Sequence, residues 1–315
     1  MLPPSDFMDP LSDVLALLKP RSYMAGGFDV GGAWSIRFDR YDGVKCYAAL
    51  SGACWLEIEG GDAPTRLTTG DYFILPRGLP FRLASDLDAT PVEAKTIFST
   101  PANGSLRIVN GGGDCMIAGG HFALDGKHAG LLLSVLPPVV HIRQEADKVK
   151  LRWCLDQMRQ ELSESQPGGS LVVQHLATMM LVQTLRLHLA DGSKEGVGWM
   201  FALADKRLGA AIGAVHADPA RRWTLQALAE RAGMSRSTFA LKFKQKVGEA
   251  PMEYVTRWRM RLAADRLVNA RDPVSAVALS LGYESESAFS VAFKRTMGRS
   301  PRQYARGDEK SAAAA

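Results

Sequence analysis

Residues 231–254 read RAGMSRSTFALKFKQKVGEAPMEY, and this stretch decides the fold of the last third of the chain. Gly233 suits the tight turn between two helices, and Ser235 can cap the helix that follows by accepting a bond from a free backbone amide. Large apolar side chains then recur at every fourth position and mark one helical face: Phe239, Phe243 and Val247. The stretch is typical of the second half of a helix-turn-helix.

The same pattern occurs a second time. Five positions return 50 residues later, so that Phe239, Phe243, Gly248, Pro251 and Tyr254 reappear as Phe289, Phe293, Gly298, Pro301 and Tyr304. Before the turn the offset is 49, because Gly233 corresponds to Gly282, and the second turn therefore holds one extra residue. We predict two helix-turn-helix units joined by a long helix from Pro251 to about Asn269. One further helix, over Trp199–His216, is predicted to precede them.

Basic charge is concentrated in this repeated region. Residues 205–306 carry 19 Lys and Arg against 9 Asp and Glu, a net charge of +10, whereas residues 1–204 have a net charge of −4. The asymmetry indicates a polyanion partner for the C-terminal third. A solvated basic face on an all-helical interaction domain would show the same charge. The duplicated turn pattern decides between the two and favours double-stranded DNA.

A helical wheel with about 100° per residue shows which side chains lie opposite the Phe stripes. In the first copy these outward residues are Ser237, Thr238, Leu241 and Gln245, and in the second they are Ser287, Ala288, Val291 and Arg295. Flanking cations suit phosphate contacts: Arg236, Lys242, Lys244, Lys246, Lys294 and Arg299. A helix of this size fits the major groove, and the spacer helix could hold two of them one DNA turn apart, about 34 Å.

The first half of the chain alternates short β-branched and aromatic runs with Gly, Asp and Pro. The runs are Trp34–Phe38, Lys45–Leu50, Cys54–Glu59, Thr65–Leu67, Tyr72–Leu75 and Phe81–Leu83, with Leu106–Met116 as a continuation. The Gly-Gly-Asp at residues 60–62 is a predicted hairpin turn. This spacing predicts an antiparallel barrel or jelly roll, preceded by a short amphipathic helix over Leu11–Leu18.

Residues 69–83, TGDYFILPRGLPFRL, resemble the second signature of the cupin barrel, in which Gly-Asp and Pro-x-Gly precede a metal-binding His. Phe81 stands at the histidine position, and no His-x-His of the first signature occurs around residues 46–55. His121 and His128 are close in sequence, but two lone histidines do not supply the convergent ligands that metal catalysis needs. We therefore expect a binding domain with no metal and no cofactor.

Two long helices are predicted after the strand-rich region. The first carries an apolar stripe at spacings of four, three and four residues, formed by Leu151, Leu155, Met158 and Leu162. Such a stripe suits either the core or one face of a dimer contact, and the sequence alone favours core. The second helix is predicted over Leu171–Leu189. The polar, Gly-rich segment Asp191–Gly198 is the expected linker between domains.

The cysteines and the N-terminal and apolar segments indicate the cellular location of the protein. The four cysteines lack paired spacing: Cys46, Cys54, Cys115 and Cys154. We predict reduced, buried thiols in a cytosolic protein. No basic region followed by a long apolar run is found at the N-terminus, which argues against a secretory signal. The most apolar segment, Leu131–Val140, is short and broken by two prolines, so no membrane span is expected.

The C-terminal third resembles the AraC/XylS family of bacterial transcription regulators. Trp223–Phe243, residues 279–295 (LSLGYESESAFSVAFKR) and Pro301–Tyr304 carry the resemblance. Residues from Asp9 to about His141 are similar to the cupin-type sensor domain of one branch of the family. The resemblance implies a cytoplasmic transcription factor, an activator or a repressor, that binds double-stranded DNA and works with RNA polymerase. It also implies a homodimer and an effector bound in the barrel.

Family members often carry Arg at the two groove-facing positions that are Leu241 and Val291 here. An aliphatic side chain cannot make the bidentate contact to guanine, but it can pack on a thymine methyl. We predict that bases are read less through these positions and more through their polar neighbours. The predicted base-reading residues are Arg236, Ser237, Thr238, Leu241, Gln245, Glu286, Ser287, Val291 and Arg295, and the predicted phosphate contacts are Lys242, Lys244, Lys246, Lys294 and Arg299.

The patterns together predict an α+β multidomain chain. We expect a cupin-like β-barrel domain over residues 1–142, a helical connector or dimerisation region over 143–190, a linker over 191–198, tandem helix-turn-helix motifs over 199–306 and a disordered tail over 307–315. A metal-dependent cupin enzyme, disfavoured by the missing His ligands, and a chiefly protein-binding regulator are the alternatives.

Aromatic residues of the barrel strands would suit an apolar or aromatic effector: Trp34, Phe38, Tyr47, Trp55 and Phe73. Barrels of this size often fill with their own side chains, and this alternative stays open at the sequence level.

Overall fold

The computed structural model describes residues 9–18, 21–98, 106–124, 130–133, 136–142, 144–164, 166–191 and 196–307. Contacts divide the chain into two compact units. The sheet unit spans Leu18–Asp191, and the helical unit contains residues 196–307 together with residues 10–17. Helix α1 (Pro10–Leu18), which the sequence predicts, therefore groups with the helical unit rather than with the strands that follow it.

Two sheets build the sheet unit. The strands in its described residues are β1 (Arg21–Val30), β2 (Ser35–Phe38), β3 (Val44–Ser51), β4 (Ala53–Ile58), β5 (Thr65–Thr68), β6 (Tyr72–Leu75), β7 (Phe81–Ala84), β8 (Val92–Glu93), β9 (Leu106–Val109), β10 (Cys115–Ala123) and β11 (Val140–Ile142). One sheet has the order β11-β6-β3-β10-β1-β9 and the other β5-β4-β7-β2-β8. All six predicted runs form strands, and the predicted hairpin turn joins β4 to its antiparallel partner β5.

The core of this unit lies between the sheets, where Phe28 and Ile117 of one sheet meet Ile36, Leu56 and Leu83 of the other. Most strand pairs are antiparallel, but β1 pairs with β9, and β2 with β8, in parallel. The α+β fold with a sheet-rich N-terminal region and a helical C-terminal region is confirmed. The closed barrel is wrong, because the ladders end at short edge strands such as the two-residue β8 and the sheets remain separate.

Strand β1 is the main strand that the sequence does not predict, because it has few β-branched residues and two adjacent glycines. It pairs with β10 along its whole length, from Arg21 opposite Ala123 to Val30 opposite Cys115. A Cβ at Gly27 would lie 3.0 Å from Leu162 Cδ1, so the glycine permits close helix packing. Long-range pairing, rather than local propensity, specifies this strand.

The helices of the sheet unit are α2 (Ala94–Ile97), α3 (Gly130–Leu133), α4 (Glu145–Glu164) and α5 (Gly169–Asp191). The apolar stripe of α4 is buried inside the unit, with no member more than 7% exposed: Leu151, Leu155, Met158 and Leu162. The prediction of core is confirmed. Because these side chains are buried inside the unit, they cannot contact a second copy of the chain, and the prediction of a dimer contact at this stripe is wrong.

The helical unit contains, besides α1, the helices α6 (Trp199–Ala202), α7 (Lys206–Ala217), α8 (Leu225–Arg231), α9 (Arg236–Val247), α10 (Pro251–Asp265), α11 (Val274–Ser280), α12 (Glu286–Met297) and α13 (Pro301–Gly307). The single helix predicted over Trp199–His216 is wrong. Asp205 interrupts it and caps α7, because its carboxylate accepts bonds from the amides of Arg207 and Leu208. The spacer helix α10 continues into a π-helical turn, Arg266–Ala270.

Three further predictions concern the cysteines, the membrane and the linkers. The four cysteines are buried free thiols, as predicted. No helix in the described ranges is long and apolar enough to cross a membrane. Helix α5 reaches Asp191, residues 192–195 lie outside the described residues, and residues 196–198 precede α6, so half of the predicted linker is described. Helix α13 reaches Gly307, and the rest of the predicted tail, residues 308–315, lies outside the described residues.

Candidate nucleic-acid interface

The first helix-turn-helix connects α8 to α9. Gly233 adopts a φ of +61°, in the left-handed region that favours glycine. Ser235 is the N-cap of α9, and its hydroxyl accepts a hydrogen bond from the Thr238 amide. Thr224 caps α8 in the same way through the Ala227 amide. The roles that the sequence predicts for Gly233 and Ser235 are confirmed.

The second turn, between α11 and α12, is one residue longer, as the offset predicts. Gly282 has a φ of +78°, and a Cβ there would lie 2.0 Å from the carbonyl oxygen of Ala220. Ser285 caps α12 by accepting a bond of 3.1 Å from the Ala288 amide. Tyr283 packs its ring edge-to-face with Phe289. Both turns therefore end in a serine-capped second helix, although the second turn is one residue longer and packs a tyrosine ring against that helix.

Aromatic cores hold the two second helices in equivalent ways. The repeated ring contacts are Phe239–Phe243 and Phe243–Tyr254 in the first copy and Phe289–Phe293 and Phe293–Tyr304 in the second. All four pairs have ring centroids between 5.4 and 5.7 Å apart. Equivalent inner contacts orient α9 and α12 so that each presents the corresponding outer face.

Those outer faces are open to solvent. The exposed residues are Ser237, Thr238, Leu241 and Gln245 on α9 and Ser287, Ala288, Val291 and Arg295 on α12. Leu241 is 61% exposed and Val291 is 66% exposed, although both are aliphatic. The helical wheel therefore assigns both faces correctly.

Cations surround these faces. Five are exposed, namely Arg236, Lys242, Lys244, Lys294 and Arg299, and Lys246 is half-buried. Within the residues that the structure describes, none of the six forms an ion pair with a carboxylate. Their charge is therefore available to an external anion.

Glu286, at the start of α12, differs from the other predicted base-reading residues. Its carboxylate lies 3.4 Å from the guanidinium of Arg302, an exposed residue of α13. Sequence reasoning does not select Arg302, because only the folded chain brings the start of α13 beside the start of α12. The pair places a further cation at the edge of the α12 face.

Comparison with known proteins gives the family. A cupin model matches residues 9–190, and a helix-turn-helix domain model matches residues 228–307. A putative AraC-like transcription regulator of Streptomyces lividans is 42% identical over 298 residues, which make up 94% of this chain and 98% of that protein. The chain belongs to the AraC family of transcription regulators.

This AraC-family regulator joins a cupin-like N-terminal domain to a helix-turn-helix DNA-binding domain. The regulator MtrA of Neisseria gonorrhoeae is 31% identical and matches over 93% of this chain and 97% of its own length. Among solved structures, the DNA-binding domain of AdpA in complex with a target DNA is 29% identical. The match covers 31% of this chain and 87% of the AdpA chain, with a TM-score of 0.30.

The cupin-like domain of the regulator has an aromatic residue where the cupin signature has its His. Phe81 is 2% exposed, and its ring stacks on Phe38 with 4.5 Å between centroids. No group of three or more His, Cys, Asp or Glu that could hold a metal ion occurs among the described residues. His128 lies outside those residues.

The aspartate of the same signature, Asp71, has a structural role. It accepts a bond from the Thr68 amide and lies 2.9 Å from the Lys148 ammonium of α4. Burial opposes ionisation, but bonds from His141 and Lys148 hold the pKa of Asp71 well below its usual value. Asp71 therefore ties α4 to the sheets.

The five residues predicted for an effector site separate into two groups. Phe38 and Tyr47 line a cavity of about 420 Å³ in the sheet unit. Trp34 and Phe73 are 4% and 0% exposed within the core, and Trp55 stands half-buried beneath the guanidinium of Arg66 on the neighbouring strand. Aromatic character alone does not reveal which residues face a cavity.

Sequence reasoning misses most polar residues of the cavity, since it names Tyr47 for the effector and considers His121 only as a metal ligand. Tyr41, Lys45 and His121 line it together with Phe38 and Tyr47. Lys45 and His121 are opposite each other on β3 and β10, a register that the sequence does not give.

Proposed function

We propose that this AraC-family regulator binds specific sites in double-stranded DNA, with α9 and α12 in neighbouring stretches of the major groove. The observation that carries the proposal is the pair of equivalent exposed faces, each beside cations without a carboxylate partner in the described chain. A helix fits the major groove, and contacts from such cations to phosphates fix its register on the duplex.

Affinity and specificity come from different side chains in this proposal. The phosphate contacts are Lys242, Lys244, Lys246, Lys294 and Arg299, which bind any sequence. Leu241 and Val291 pack on thymine methyl groups, and the polar residues around them bond to base edges. Glu286 must break its ion pair with Arg302 before it can bond to a base, so its contribution to sequence specificity is smaller than the sequence alone suggests.

The remaining parts of the proposal follow the family. The protein acts in the bacterial cytoplasm as a homodimer, works with RNA polymerase and has no enzymatic activity. A small molecule bound in the cavity of the sheet unit controls it. The dimer contact uses a surface other than the buried stripe of α4.

Selection of binding sites from random-sequence DNA tests the proposal with the full-length chain. We expect enrichment of a defined site and a binding constant that falls as the salt concentration rises, because phosphate contacts release counterions. The substitutions Lys244→Ala and Lys294→Ala should each weaken binding to every sequence and reduce the salt slope by about one.

Lys150→Ala is the matched control, because Lys150 is an exposed lysine of the sheet unit. It should change neither affinity nor slope. Affinity that is indifferent to salt contradicts the proposal. Failure to enrich any sequence also contradicts it and favours a chiefly protein-binding regulator.

A further inference from the structure

The cavity of the sheet unit has apolar walls. It has a volume of about 420 Å³, within the range of small-molecule sites. Strands of both sheets contribute to it, and α2, which has no buried residue, lies at its edge. The aromatic rings on its walls are Phe28, Phe38, Tyr41, Tyr47 and Phe98. The walls suit a flat or apolar body.

Charged residues also line the cavity: Arg37, Asp39, Arg40, Glu93 and Lys95. Lys45 is the lining cation that packs against aromatic rings. The ammonium of Lys45 lies 4.5 Å from the ring centroid of Tyr41, 4.9 Å from that of Phe38 and 5.2 Å from that of Phe81. Among the described residues it forms no hydrogen bond or ion pair. Burial lowers the pKa of Lys45 to about 8, and only the nearby Asp39 opposes this.

The carboxylate whose charge acts on Lys45 is Asp39, and it already has cationic partners. Asp39 lies 3.0 Å from the guanidinium of Arg37 and 3.4 Å from the ammonium of Lys95. Arg37 also pairs with Glu59 and Glu93 at the edge of the second sheet. Lys45 is therefore left as a partly desolvated cation without an anion, and an aromatic face does not replace a carboxylate as its partner.

His121 does not add a second charge. Its Nε2 donates a hydrogen bond to the carbonyl oxygen of Asp42, and its ring packs edge-to-face with Tyr41. Burial lowers the pKa of His121 below its usual value, so the ring is neutral near pH 7. The cavity thus combines aromatic walls, a neutral imidazole, several charged residues and, among the rings, the ammonium of Lys45.

We propose that this cavity binds an aromatic carboxylate, with the carboxylate on the Lys45 ammonium and the ring against Phe38, Tyr41 and Tyr47. The proposal deepens the effector site of the proposed function and rests on it for any effect on transcription. Binding itself is measured on the full chain without DNA, so a failure here and a failure of DNA recognition are distinguishable.

Calorimetric titration with 2-naphthoate and its neutral isostere 2-naphthamide separates charge from shape. The wild-type chain should bind the carboxylate at least about tenfold more tightly than the amide, as expected for a charge-assisted bond. Lys45→Met keeps the aliphatic stem and should remove this preference. Lys150→Met, at an exposed lysine of α4 that does not line the cavity, should keep it.

A second measurement needs no variant. In the wild-type chain, affinity for 2-naphthoate should fall between pH 7 and pH 10 as Lys45 loses its proton, whereas affinity for 2-naphthamide should stay constant. Equal affinity for the two probes, a preference that survives in Lys45→Met, a flat pH profile, or no saturable binding of 2-naphthoate at millimolar concentration each overturns the proposal.

Discussion

At the scale of single residues, Lys45 carries an energetic cost in the free protein. Its ammonium sits among three aromatic rings without a carboxylate partner in the described residues. Removing a cation from water destabilises its charged form, and cation–π contacts offset only part of this. A residue that destabilises the free state is more consistent with ligand binding than with a structural role.

Lys45→Met should therefore raise the melting temperature of the unliganded protein at pH 7. At that pH the lysine is protonated in both states, and only the folded state bears the desolvation. The folded-state pKa is lowered to about 8, while an unfolded lysine titrates near ~10.4. Wild-type stability should rise with pH between these values, and the gain from the substitution should shrink and vanish above about pH 10.5.

Thermal unfolding of both proteins at pH 7, 9 and 10.5 measures this effect, with Lys150→Met as the exposed control. A variant that is less stable than wild type at pH 7 would show that the aromatic contacts outweigh the desolvation.

Leu241 and Val291 in the helical unit are likewise residues that bring little stability to the free protein. Each is more than half exposed on a helix whose opposite face is fully packed. Neither side chain stabilises the free fold much, because its apolar surface remains in water. Their contribution should therefore appear in binding rather than in folding.

At the scale of elements, the two turns differ in why each requires a glycine. Gly233 has a positive φ, but a Cβ added there would meet no atom within 4 Å, so only backbone strain opposes alanine at this position. Gly282 has the same strain and, in addition, the Ala220 carbonyl oxygen at 2.0 Å from the place that a Cβ would occupy. A backbone oxygen cannot move aside as a flexible side chain can.

Gly233→Ala should accordingly cost ~1–2 kcal/mol of unfolding free energy. Gly282→Ala should cost more, because strain and steric overlap add. Urea unfolding of the full-length variants, followed by helical circular dichroism, gives both values. Equal costs would mean that the segment around Ala220 relaxes freely.

Helical periodicity predicts much of the helical unit. The cap at Ser235, the Phe stripes and the extra residue of the second turn are all predicted from the sequence. Two features are not: the break at Asp205, where a side-chain cap competes with helix continuation, and the π-helical turn after Asp265. The first has a local cause, an N-cap that apolar spacing does not take into account, and the second has no signal in the apolar spacing.

The sheet unit is predicted less well, for a physical reason. Strand runs are visible in the sequence, but pairing and register are long-range properties. The sequence therefore does not give the parallel pairs, the separation of the two sheets or the position of Lys45 opposite His121. Candidate DNA contacts on helices are assigned correctly to a face, whereas candidate cavity residues are only partly recovered.

At the scale of the whole molecule, residues 10–17 and residues 196–307 together build the helical unit. Asp13 of α1 accepts a hydrogen bond of 3.1 Å from Nδ1 of His216, and Nε2 of His216 accepts one of 2.7 Å from the Tyr254 hydroxyl. The imidazole stacks on Trp258 with 3.9 Å between centroids. Burial lowers the pKa of His216, and this neutral form satisfies both neighbours. The DNA-binding region therefore depends on residues that precede the sheet unit in sequence.

The tandem arrangement makes the last prediction specific. If α9 and α12 occupy successive major-groove segments, the selected DNA site should contain two blocks with centres about 10 base pairs apart. Leu241→Ala should relax the preference at thymine positions of one block only, and Val291→Ala at those of the other, each by ~1 kcal/mol or more. Sequencing of sites selected by wild type and both variants measures this.

Ala288→Ser, a polar change on the same exposed face of α12, is a useful comparison, because it adds a hydroxyl without removing an apolar contact. It should alter only the block that Val291 reads. Substitutions that each change both blocks would contradict independent reading by the two helices. A single block that responds to only one substitution would mean that one helix reads the bases while the other contacts only phosphates. In that case the duplicated fold would serve affinity through one copy and specificity through the other.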